Sequence, residues 1–498
     1  MQSHTKDFRQ GAGAALSDPK IQANLEGLYN GFHQARIDAS DQTPDWEALQ
    51  DKGRAIKAHT LDNLAYYLEL VERNVIASGG HIYFAKDAEA ASNYVVNLAK
   101  ERGIELVIKG KSMVSEEMAL NHRLEEEGIE PVETDLGEYI VQLAEETPFH
   151  IIAPAIHKSR GEVSELFVEK LNVPMYDNIE DLTREARDQL RQKFVDAGMG
   201  ITGANFIVAE TGTVTLVTNE GNGRMCTSMP KIHVAITGME KVVPSIEDLG
   251  LFLRLLIRSA TGQRISSYVT TVTGPRGEDE VDGPEEFHLV IVDNGRSKML
   301  ADPNLREALY CLRCGACLNA CPVYRKVGGH AYGWVYPGPI GAIVSPMLTN
   351  LSEAKDLPYA STLCGACKEA CPVKINIPRM LLYLRKELTQ GETYPEHKSV
   401  SMAESTAVKG WRASVSSSFM MRLSNLGGRL LQLPFVRGGR IDRLPSPLSG
   451  WTKHRKFPAI ASKPFRTRWK NIGKKRLNET SFSTLSVKLW AHKPRLQI

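Results

Sequence analysis

The chain has 498 residues, of which 42% are hydrophobic and 24% are charged, a balance that excludes an intrinsically disordered chain and favours a globular protein of several domains. No apolar run approaches the roughly 18 residues of a membrane-spanning helix, and the first residues lack the apolar stretch of a secretory signal, so we expect a cytoplasmic protein. The net charge is only +3, but residues 437–498 hold 16 Lys/Arg and two acids, whereas the residues before them hold 45 Lys/Arg and 56 acids. This asymmetry predicts that the basic tail contacts a partner subunit or the inner face of the membrane, with a solvated tail as the alternative.

The first 300 residues show two kinds of pattern. Residues 1–75 read as an N-terminal helical segment, because apolar residues recur at helical spacing through residues 58–73. Residues 76–300 alternate short apolar strands with helices, which predicts an α/β domain whose mainly parallel sheet is covered on both faces. The predicted strands are residues 82–85, 104–108, 149–155 and 233–237, and the predicted helices are residues 88–102, 114–127, 183–197 and 249–260.

Two stretches of the α/β domain predict pairs of strands that are joined by a turn or a loop and not by a helix. Residues 203–218 are rich in glycine and β-branched side chains, which predicts two strands around the turn at Glu210-Thr211-Gly212-Thr213. Residues 268–273 and 286–292 predict a strand pair, joined by a polar loop that is rich in glycine and proline.

Seven of the eight cysteines lie between residues 311 and 371. A chain that concentrates its thiols in this way is expected to bind metal with them and not to form disulfides. We therefore interpret residues 301–390 as an α-helical two-cluster domain of the ferredoxin type. Residues 391–498 follow as a basic, Pro-rich C-terminal region, where the prolines from Pro434 onward leave little room for regular structure.

The first cysteine run has the spacing of bacterial ferredoxins. Its members are Cys311, Cys314, Cys317 and Cys321, and Pro322 follows. Two residues between thiolates let one tight turn bring successive sulfurs to neighbouring corners of a cubane, and the fourth cysteine, beside a proline, points toward the other cluster. The run therefore predicts a 4Fe-4S site.

The second run repeats this pattern without its first member. It consists of Cys364, Cys367 and Cys371, and Ser361 stands where the first cysteine is expected. The crossed arrangement of two-cluster ferredoxins exchanges the last cysteine of each run. One cluster then takes Cys311, Cys314, Cys317 and Cys371, and the other takes Cys321, Cys364 and Cys367.

These spacings predict two 4Fe-4S clusters, the second with three cysteine ligands. Ser361, water or a residue of a partner would complete the second cluster, or a 3Fe-4S cluster would need only the three thiolates. Zinc is the alternative metal, but seven cysteines in two such runs do not suit tetrahedral zinc sites, which usually come as separated pairs.

Three further places are weaker candidates for a functional site. Lys109-Gly110-Lys111-Ser112 follows a strand and opens a helix, so it could bind an anion, although it lacks the leading glycine of a P-loop. Glu210 beside Gly212 could act as a nucleophile or base, with a plain β-turn as the alternative. The isolated Cys226 is expected to be a packed core residue. The histidines show no metal-binding spacing, and we assign no catalytic residue.

Several motifs of the chain resemble the lactate-utilisation protein B family. They are the two cysteine runs with the segments Gly329–Ala342 and Ser361–Ile375, and upstream Val107–Glu117, Gly200–Met225 and His233–Ser245. Members of this family are iron–sulfur subunits of a three-protein L-lactate oxidation system in bacteria. The resemblance covers about residues 1–470. It implies two 4Fe-4S centres, an N-terminal domain similar to the sugar-phosphate isomerase/CoA-transferase superfamily, and an incomplete second run as a family feature.

Three functional classes were compared. The favoured one is an iron–sulfur electron-transfer subunit in L-lactate oxidation to pyruvate, which passes electrons between a partner dehydrogenase subunit and a downstream acceptor. It makes the chain a redox subunit of an L-lactate dehydrogenase complex and not a stand-alone enzyme. The second class is a self-contained hydroxy-acid oxidoreductase with its substrate site in the α/β domain. A nucleic-acid-binding regulator is not expected, because no reading motif accompanies the basic tail.

Overall fold

The structure is a computed structural model that describes residues 3–446, 448–453, 455–465 and 467–470. The described residues divide into two compact units on either side of the bond between Ser399 and Val400. None of the described helices is long and apolar enough to cross a membrane.

The helical pattern predicted for residues 1–75 corresponds to five helices. Asp18 begins one of them, because its carboxylate accepts hydrogen bonds from the backbone N–H groups of Lys20 at 2.9 Å and Ile21 at 3.1 Å, just ahead of Pro19 at the first helical position. The helices are α1 (Phe8–Ser17), α2 (Pro19–Leu28), α3 (Gln34–Asp41), α4 (Trp46–Asp62) and α5 (Leu64–Ala77).

The α/β domain is built on a six-stranded sheet in the order β1-β10-β7-β4-β2-β3, with every neighbouring pair parallel. The predicted parallel sheet is therefore confirmed. Its central strands are buried on both faces, as parallel strands covered by helices must be. The strands of the domain are β1 (His81–Ala85), β2 (Leu106–Gly110), β3 (Glu130–Glu133), β4 (Met199–Thr202), β5 (Phe206–Val208), β6 (Thr213–Thr218), β7 (Ile232–Gly238), β8 (Val242–Val243), β9 (Tyr268–Val272) and β10 (Glu286–Val292).

The helices of this domain cover the sheet and connect its strands. The helix predicted over residues 114–127 is broken in two at Ala119, which has a φ of 55°. The helices are α6 (Ala88–Glu101), α7 (Met113–Glu117), α8 (Leu120–Glu125), α9 (Leu136–Leu143), α10 (Arg160–Leu171), α11 (Ile179–Asp196), α12 (Asn222–Ser228), α13 (Ile246–Thr261) and α14 (Arg296–Ala301).

The direction of the crossovers changes between β2 and β4, which are neighbours in the sheet. From β2 the chain continues to β3 on one side, and from β4 it continues to β7 on the other side. In open α/β sheets this change leaves a crevice outside the carboxyl ends of the two strands. A cavity lies at that position.

A second sheet has four strands in the order β8-β5-β6-β9. β5 and β6 are the two strands predicted around the Glu210 turn, and they pair antiparallel. The predicted pair of residues 268–273 and 286–292 is wrong, because β9 pairs with β6 while β10 joins the six-stranded sheet. Burial explains the separation: β10 is almost wholly buried and suits a central position, whereas β9 is largely exposed and suits an edge.

The predicted strand over residues 149–155 is also wrong. This segment folds as a turn, in which the N–H of Phe149 donates to the carbonyl of Pro154 at 2.9 Å. Its apolar residues pack against the cysteine-rich segment instead of the sheet, and the hydroxyl of Tyr324 donates to the carbonyl of Phe149 at 2.8 Å.

The cysteine-rich segment consists of short helices between loops. One apolar core continues from this segment into the N-terminal helices, the four-stranded sheet and one face of the large sheet, so these parts fold against each other. The helices are α15 (Ala316–Asn319), α16 (Tyr324–Val327), α17 (Gly338–Leu348), α18 (Ala366–Glu369) and α19 (Ile377–Gln390).

The second unit begins with two helices that the sequence pattern left unassigned. They are α20 (Met402–Val415) and α21 (Ser418–Gln432), and neither has a buried residue. Three short antiparallel strands follow: β11 (Val436–Arg437), β12 (Arg440–Ile441) and β13 (Phe457–Pro458). The part of the predicted basic tail at residues 471–498 lies outside the described residues.

Candidate iron–sulfur centre

The first cysteine run folds as a loop that turns into the short helix α15. Arg313 and Gly315 both have a positive φ, of 61° and 75°, which folds the chain around a common centre. The N–H of Arg313 points back at the sulfur of Cys311 at 3.4 Å. Backbone N–H groups directed at sulfur are suited to a cluster, because they stabilise the negative charge of a thiolate.

The second run has the same backbone shape. Leu363 and Gly365 repeat the two positive φ values, at 56° and 91°, and α18 follows Gly365 as α15 follows Gly315. The N–H of Leu363 donates to the hydroxyl of Ser361 at 3.0 Å. Ser361 thus makes the contact that Cys311 makes in the first run, so the two loops are equivalent down to this hydrogen bond.

The fold brings the cysteines together across the two runs. One cavity is lined by four cysteines, three from the first run and Cys371 from the second. The thiol of Cys367 lies close enough to Cys321 and Cys364 for their charges to interact, which marks a second group of three. We name these the buried set (Cys311, Cys314, Cys317 and Cys371) and the outer set (Cys321, Cys364 and Cys367).

The chemistry of these residues fits iron–sulfur clusters. All seven cysteines are free thiols. Burial raises the pKa of the thiols of Cys314, Cys367 and Cys371 to about 12, and bound iron would reverse this shift because a metal ion stabilises the thiolate. Backbone N–H groups also reach the sulfurs of Cys321 at 3.5 Å and Cys371 at 3.4 Å.

The two sets differ in their exposure to solvent. In the buried set only Cys311 is partly accessible, whereas Cys364 of the outer set is exposed. A hydrogen bond from the Thr362 side chain, with help from the N–H of Ala366, lowers the pKa of the Cys364 thiol. The outer set therefore reaches the surface at Cys364, although Cys321 and Cys367 are buried, and the buried set lies inside the fold.

A network of buried charges joins the first cysteine loop to the α/β domain. Arg296 donates to Glu117 at 2.8 and 2.9 Å and to Glu240 at 2.8 Å. The guanidinium of Arg313 stacks 4.2 Å from the ring centre of Tyr336, whose hydroxyl donates to Glu117 at 2.6 Å. Sequence reasoning missed this network because its members come from distant segments. The available signal was Arg313, a charged residue between two cysteines of a loop that must be buried.

The charge of Glu240 is maintained by its cationic neighbours. Burial acts to raise the pKa of this carboxyl, but Arg296, Lys241 and Arg313 together lower it to about 2. Lys57 from α4 donates to the carbonyl of Glu240. The cysteine loop is thus anchored by ion pairs that exclude water.

The candidate anion site at Lys109–Ser112 has other partners. Lys109 is buried and its ammonium contacts Glu133 at 2.7 Å and Asn121, while Lys111 pairs with Asp135. Both ammonium groups are therefore already neutralised, and α7, which this segment opens, has only five residues. The segment acts as a strand-to-helix turn.

Glu210 lies on the surface, and its carboxylate accepts from the N–H of Ile246 at 3.2 Å. The hydroxyls of Thr211 and Thr213 bond to each other at 2.7 Å, which supports the interpretation as a β-turn. Cys226 lies in a core of the α/β domain, where its sulfur contacts the hydroxyl of Thr134 at 3.3 Å. Its surroundings are those of a packed core residue.

The fold also assembles histidines that show no spacing in sequence. Glu146, His157 and His330 offer ligand atoms within reach of one ion. Lys158 already pairs with Glu146, and His157 bonds to the same carboxylate at 2.6 Å, so the acid is compensated without a metal.

Comparison with known proteins shows which families the three parts of the chain match. A family profile of the LUD domain matches residues 68–292, and one of the 4Fe-4S dicluster domain matches residues 307–375. The α/β domain and the cysteine segment thus define an iron–sulfur protein. A third profile, for the C-terminal part of lactate utilisation protein B, matches residues 384–474.

Individual relatives give the family. Lactate utilization protein B of Bacillus cytotoxicus is 45% identical over 470 residues, which cover 94% of this chain and 98% of the relative. Lactate utilization protein B 2 of Bacillus mycoides is 45% identical over 471 residues, covering 95% and 98%. The chain belongs to the lactate utilization protein B family, and the predicted resemblance is confirmed.

A solved structure, of a DUF162 family protein from Deinococcus radiodurans, covers 46% of this chain and 98% of that chain at 13% identity. Its TM-score is 0.27, which is too low to carry an argument about the fold. The predicted likeness to sugar-phosphate isomerases and CoA-transferases stays a prediction.

Proposed function

We propose that this chain is the iron–sulfur electron-transfer subunit of an L-lactate oxidation system, in which it passes electrons between a partner dehydrogenase subunit and a downstream acceptor. The names of its relatives connect those proteins with lactate utilization, and the matched dicluster domain belongs to a class of one-electron carriers. Bound clusters supply one-electron transfer, while the chain fixes their position and surroundings.

The grouping of the seven cysteines carries this proposal. The buried set would hold one 4Fe-4S cluster and the outer set the other, which is the crossed ligation of two-cluster ferredoxins. An assignment by sequence order alone would remove Cys371 from the cavity that it lines with the first run. The exposure of Cys364 favours the outer set as the point where electrons enter or leave the protein.

The fourth position of the outer set has several candidate occupants. They are Ser361, water and a residue from a partner, and a 3Fe-4S cluster would need none. The contact between the N–H of Leu363 and the hydroxyl of Ser361 favours the serine, because the same backbone contact reaches Cys311 in the first run.

A self-contained hydroxy-acid oxidoreductase is the second candidate. One observation favours it: the cavity beside β2 and β4 is bordered by Arg313 from the first cysteine loop. Such an enzyme would still need a two-electron acceptor, for which the described residues offer no dinucleotide or flavin fingerprint.

Anaerobic purification of the chain alone tests the proposal. We expect about seven to eight irons and about eight sulfides per chain, reduction by dithionite, and no turnover of L-lactate with an artificial dye. Adding the other subunits of the system should restore lactate-dependent reduction of the clusters. Two zinc ions without sulfide would contradict the proposal, and lactate turnover by the chain alone would favour the second candidate.

The partners that fit this function are the other subunits of a lactate-utilisation complex. We place the chain in the cytoplasm, with the basic tail available for a peripheral contact at the inner face of the membrane. Anaerobic co-purification with the neighbouring gene products, followed by a lactate-dependent bleaching assay, would identify the subunits and the direction of electron flow.

A further inference from the structure

A cavity of about 260 Å³ lies outside the carboxyl ends of β2 and β4. This is the position where the crossovers of the sheet change direction and where α/β sheets bind their ligands. Lys111 follows β2, Gly203 and Asn205 follow β4, and the opposite wall comes from Arg313 and Tyr336 of the cysteine-rich segment. The cavity therefore borders both the α/β domain and the loop that carries the first three cysteines of the buried set.

Two cations line this cavity without a full set of partners. The Nη1 atom of Arg313 is buried and has no hydrogen-bond partner among the described residues. Its closest acid is Glu240, 3.7 Å from Nη2, and that carboxylate already accepts a hydrogen bond from Arg296. Lys241, which follows β7 in the turn Met239–Lys241, is also buried, and its ammonium donates no hydrogen bond within the part of the chain that the structure describes.

The N–H groups of these two cations need an acceptor, because a buried charged donor that is left without a hydrogen bond is costly. Both cations lie near Cys311 of the buried set, close enough for their charges to interact with its thiol. An anion that bound to them would therefore lie beside the first cluster.

The rest of the lining indicates the kind of anion. The apolar part is formed by Ile151, Ile152, Leu256 and Ile257, and suits a short carbon skeleton. Three acids, Glu138, Glu220 and Glu240, also line the cavity, so a singly charged ligand is favoured over a dianion such as phosphate. The volume lies just below the ~300–1,000 Å³ of pockets for drug-sized ligands, which indicates a small molecule.

We infer that this cavity binds a small organic carboxylate, with Lys241 and Arg313 holding the carboxylate group beside the buried set. Given the proposed function, on which this choice rests, L-lactate and pyruvate are the ligands that fit the charge and the size. The α/β domain would then present the organic acid next to the first cluster.

Calorimetric titration of the full-length, cluster-loaded chain tests the inference under anaerobic conditions. L-lactate and pyruvate are the probes, and inorganic phosphate and glycerol are the comparators. We expect binding of at least one carboxylate, and at least tenfold weaker binding in Lys241→Met. Lys86→Met removes an exposed lysine that is not part of this lining and should bind like the wild type, and Lys241→Arg should retain most of the affinity.

A second variant separates binding from folding. Ala260→Phe adds a ring to the cavity lining from α13 and leaves both cations in the chain, so it should abolish binding while iron content stays unchanged. If Lys241→Met loses iron, Ala260→Phe alone decides the location. Binding that survives Ala260→Phe would overturn the inference.

The clusters themselves give an independent readout. A bound carboxylate adds negative charge near the first cluster, so its reduction potential should become more negative when L-lactate or pyruvate saturates the chain. A chain that holds both clusters but binds neither acid overturns this inference and leaves the proposed function intact. Tighter binding of phosphate overturns the choice of a carboxylate. A chain without iron and sulfide contradicts the proposed function itself.

Discussion

Ser361 is the residue at which the two cysteine loops differ in chemistry but not in shape. Because its hydroxyl occupies the place of the first cysteine in the hydrogen-bond pattern, Ser361→Cys should complete the outer set with a fourth thiolate. We expect eight irons per chain and slower loss of the second cluster in air than in the wild type. Iron and sulfide analysis and EPR of the oxidised and reduced protein measure both effects.

The control for this change is Ser361→Ala, which removes the hydroxyl and adds no ligand. If serine binds the fourth iron, Ser361→Ala should lower the iron content toward a 3Fe-4S cluster. Equal iron and equal air stability in the wild type and both variants would contradict a role for position 361.

Crossed ligation makes a different prediction for single cysteines. Cys371→Ala should damage the cluster of the buried set, although residue 371 lies in the second run, and Cys367→Ala should damage only the cluster of the outer set. Cys226→Ala is the matched control and should keep all iron, at a cost of about 1 kcal/mol in unfolding free energy. Spectroscopy that finds the first cluster intact after Cys371→Ala would reject the crossed arrangement.

Among the secondary-structure elements, the short helix α14 supplies the central cation of the buried charge network. Its Arg296 neutralises Glu117 and Glu240, and all three side chains are almost fully buried. Arg296→Met should destabilise the protein by about 3–5 kcal/mol, because it leaves Glu117 buried without a counter-charge and removes one of the three cations around Glu240. Anaerobic chemical denaturation measures the loss.

The matched control replaces an arginine on the surface. The Arg187 side chain is 75% exposed, so Arg187→Met should change stability by less than about 0.5 kcal/mol. Equal denaturation midpoints for the two variants would show that the buried network does not stabilise the fold.

The secondary-structure elements also show what could and could not be predicted from local sequence patterns. Period and composition located β1, β7, α6 and α13 to within a few residues, because each is a buried or amphipathic segment with its own repeat. They failed for residues 149–155, since an apolar run of that length fits a strand or a packed turn equally well. They located β9 and β10 correctly but not their partners, because the pairing of a strand depends on its burial and on distant segments of the chain.

Some features of the candidate site could be predicted from the sequence, and others could not. The seven cysteines and their grouping follow from spacing, because a cubane fixes the distances between its ligands. The cavity and its unpaired cations do not follow, since Lys241, Arg313 and Asn205 lie on separate segments that meet only in the folded chain. Nothing in the local sequence marks them as neighbours.

At the scale of the whole chain, charge and apolar surface coincide in the second unit. Residues 400–498 hold 20 Lys/Arg and three acids. Within the described residues, α21 exposes a row of apolar side chains at helical spacing, formed by Phe419, Leu423, Leu426 and Leu430, which are 54–73% exposed. A basic segment with such a helix is typical of proteins that bind anionic membranes.

We therefore expect the protein to co-sediment with anionic vesicles and only weakly with neutral ones. Each Lys/Arg near the surface contributes about 1 kcal/mol, so truncation after Val436, which removes 16 of them, should abolish most of the binding. Leu423→Gln should weaken it by removing an apolar side chain from the exposed row of α21 without changing the charge of the chain. If full-length and truncated protein behave alike on anionic vesicles, the tail is better explained as a docking segment for a partner subunit.

The crossed grouping of the cysteines has a consequence for biosynthesis. The buried set needs Cys371 from the second run, and the outer set needs Cys364 and Cys367 from the same run. Neither set is therefore complete until the ribosome has released the second run. A nascent chain that stops before Cys371 would carry six of the seven clustered thiols and yet lack the fourth thiol of the buried set. With this grouping, insertion of iron into the buried set would have to follow synthesis of both cysteine runs.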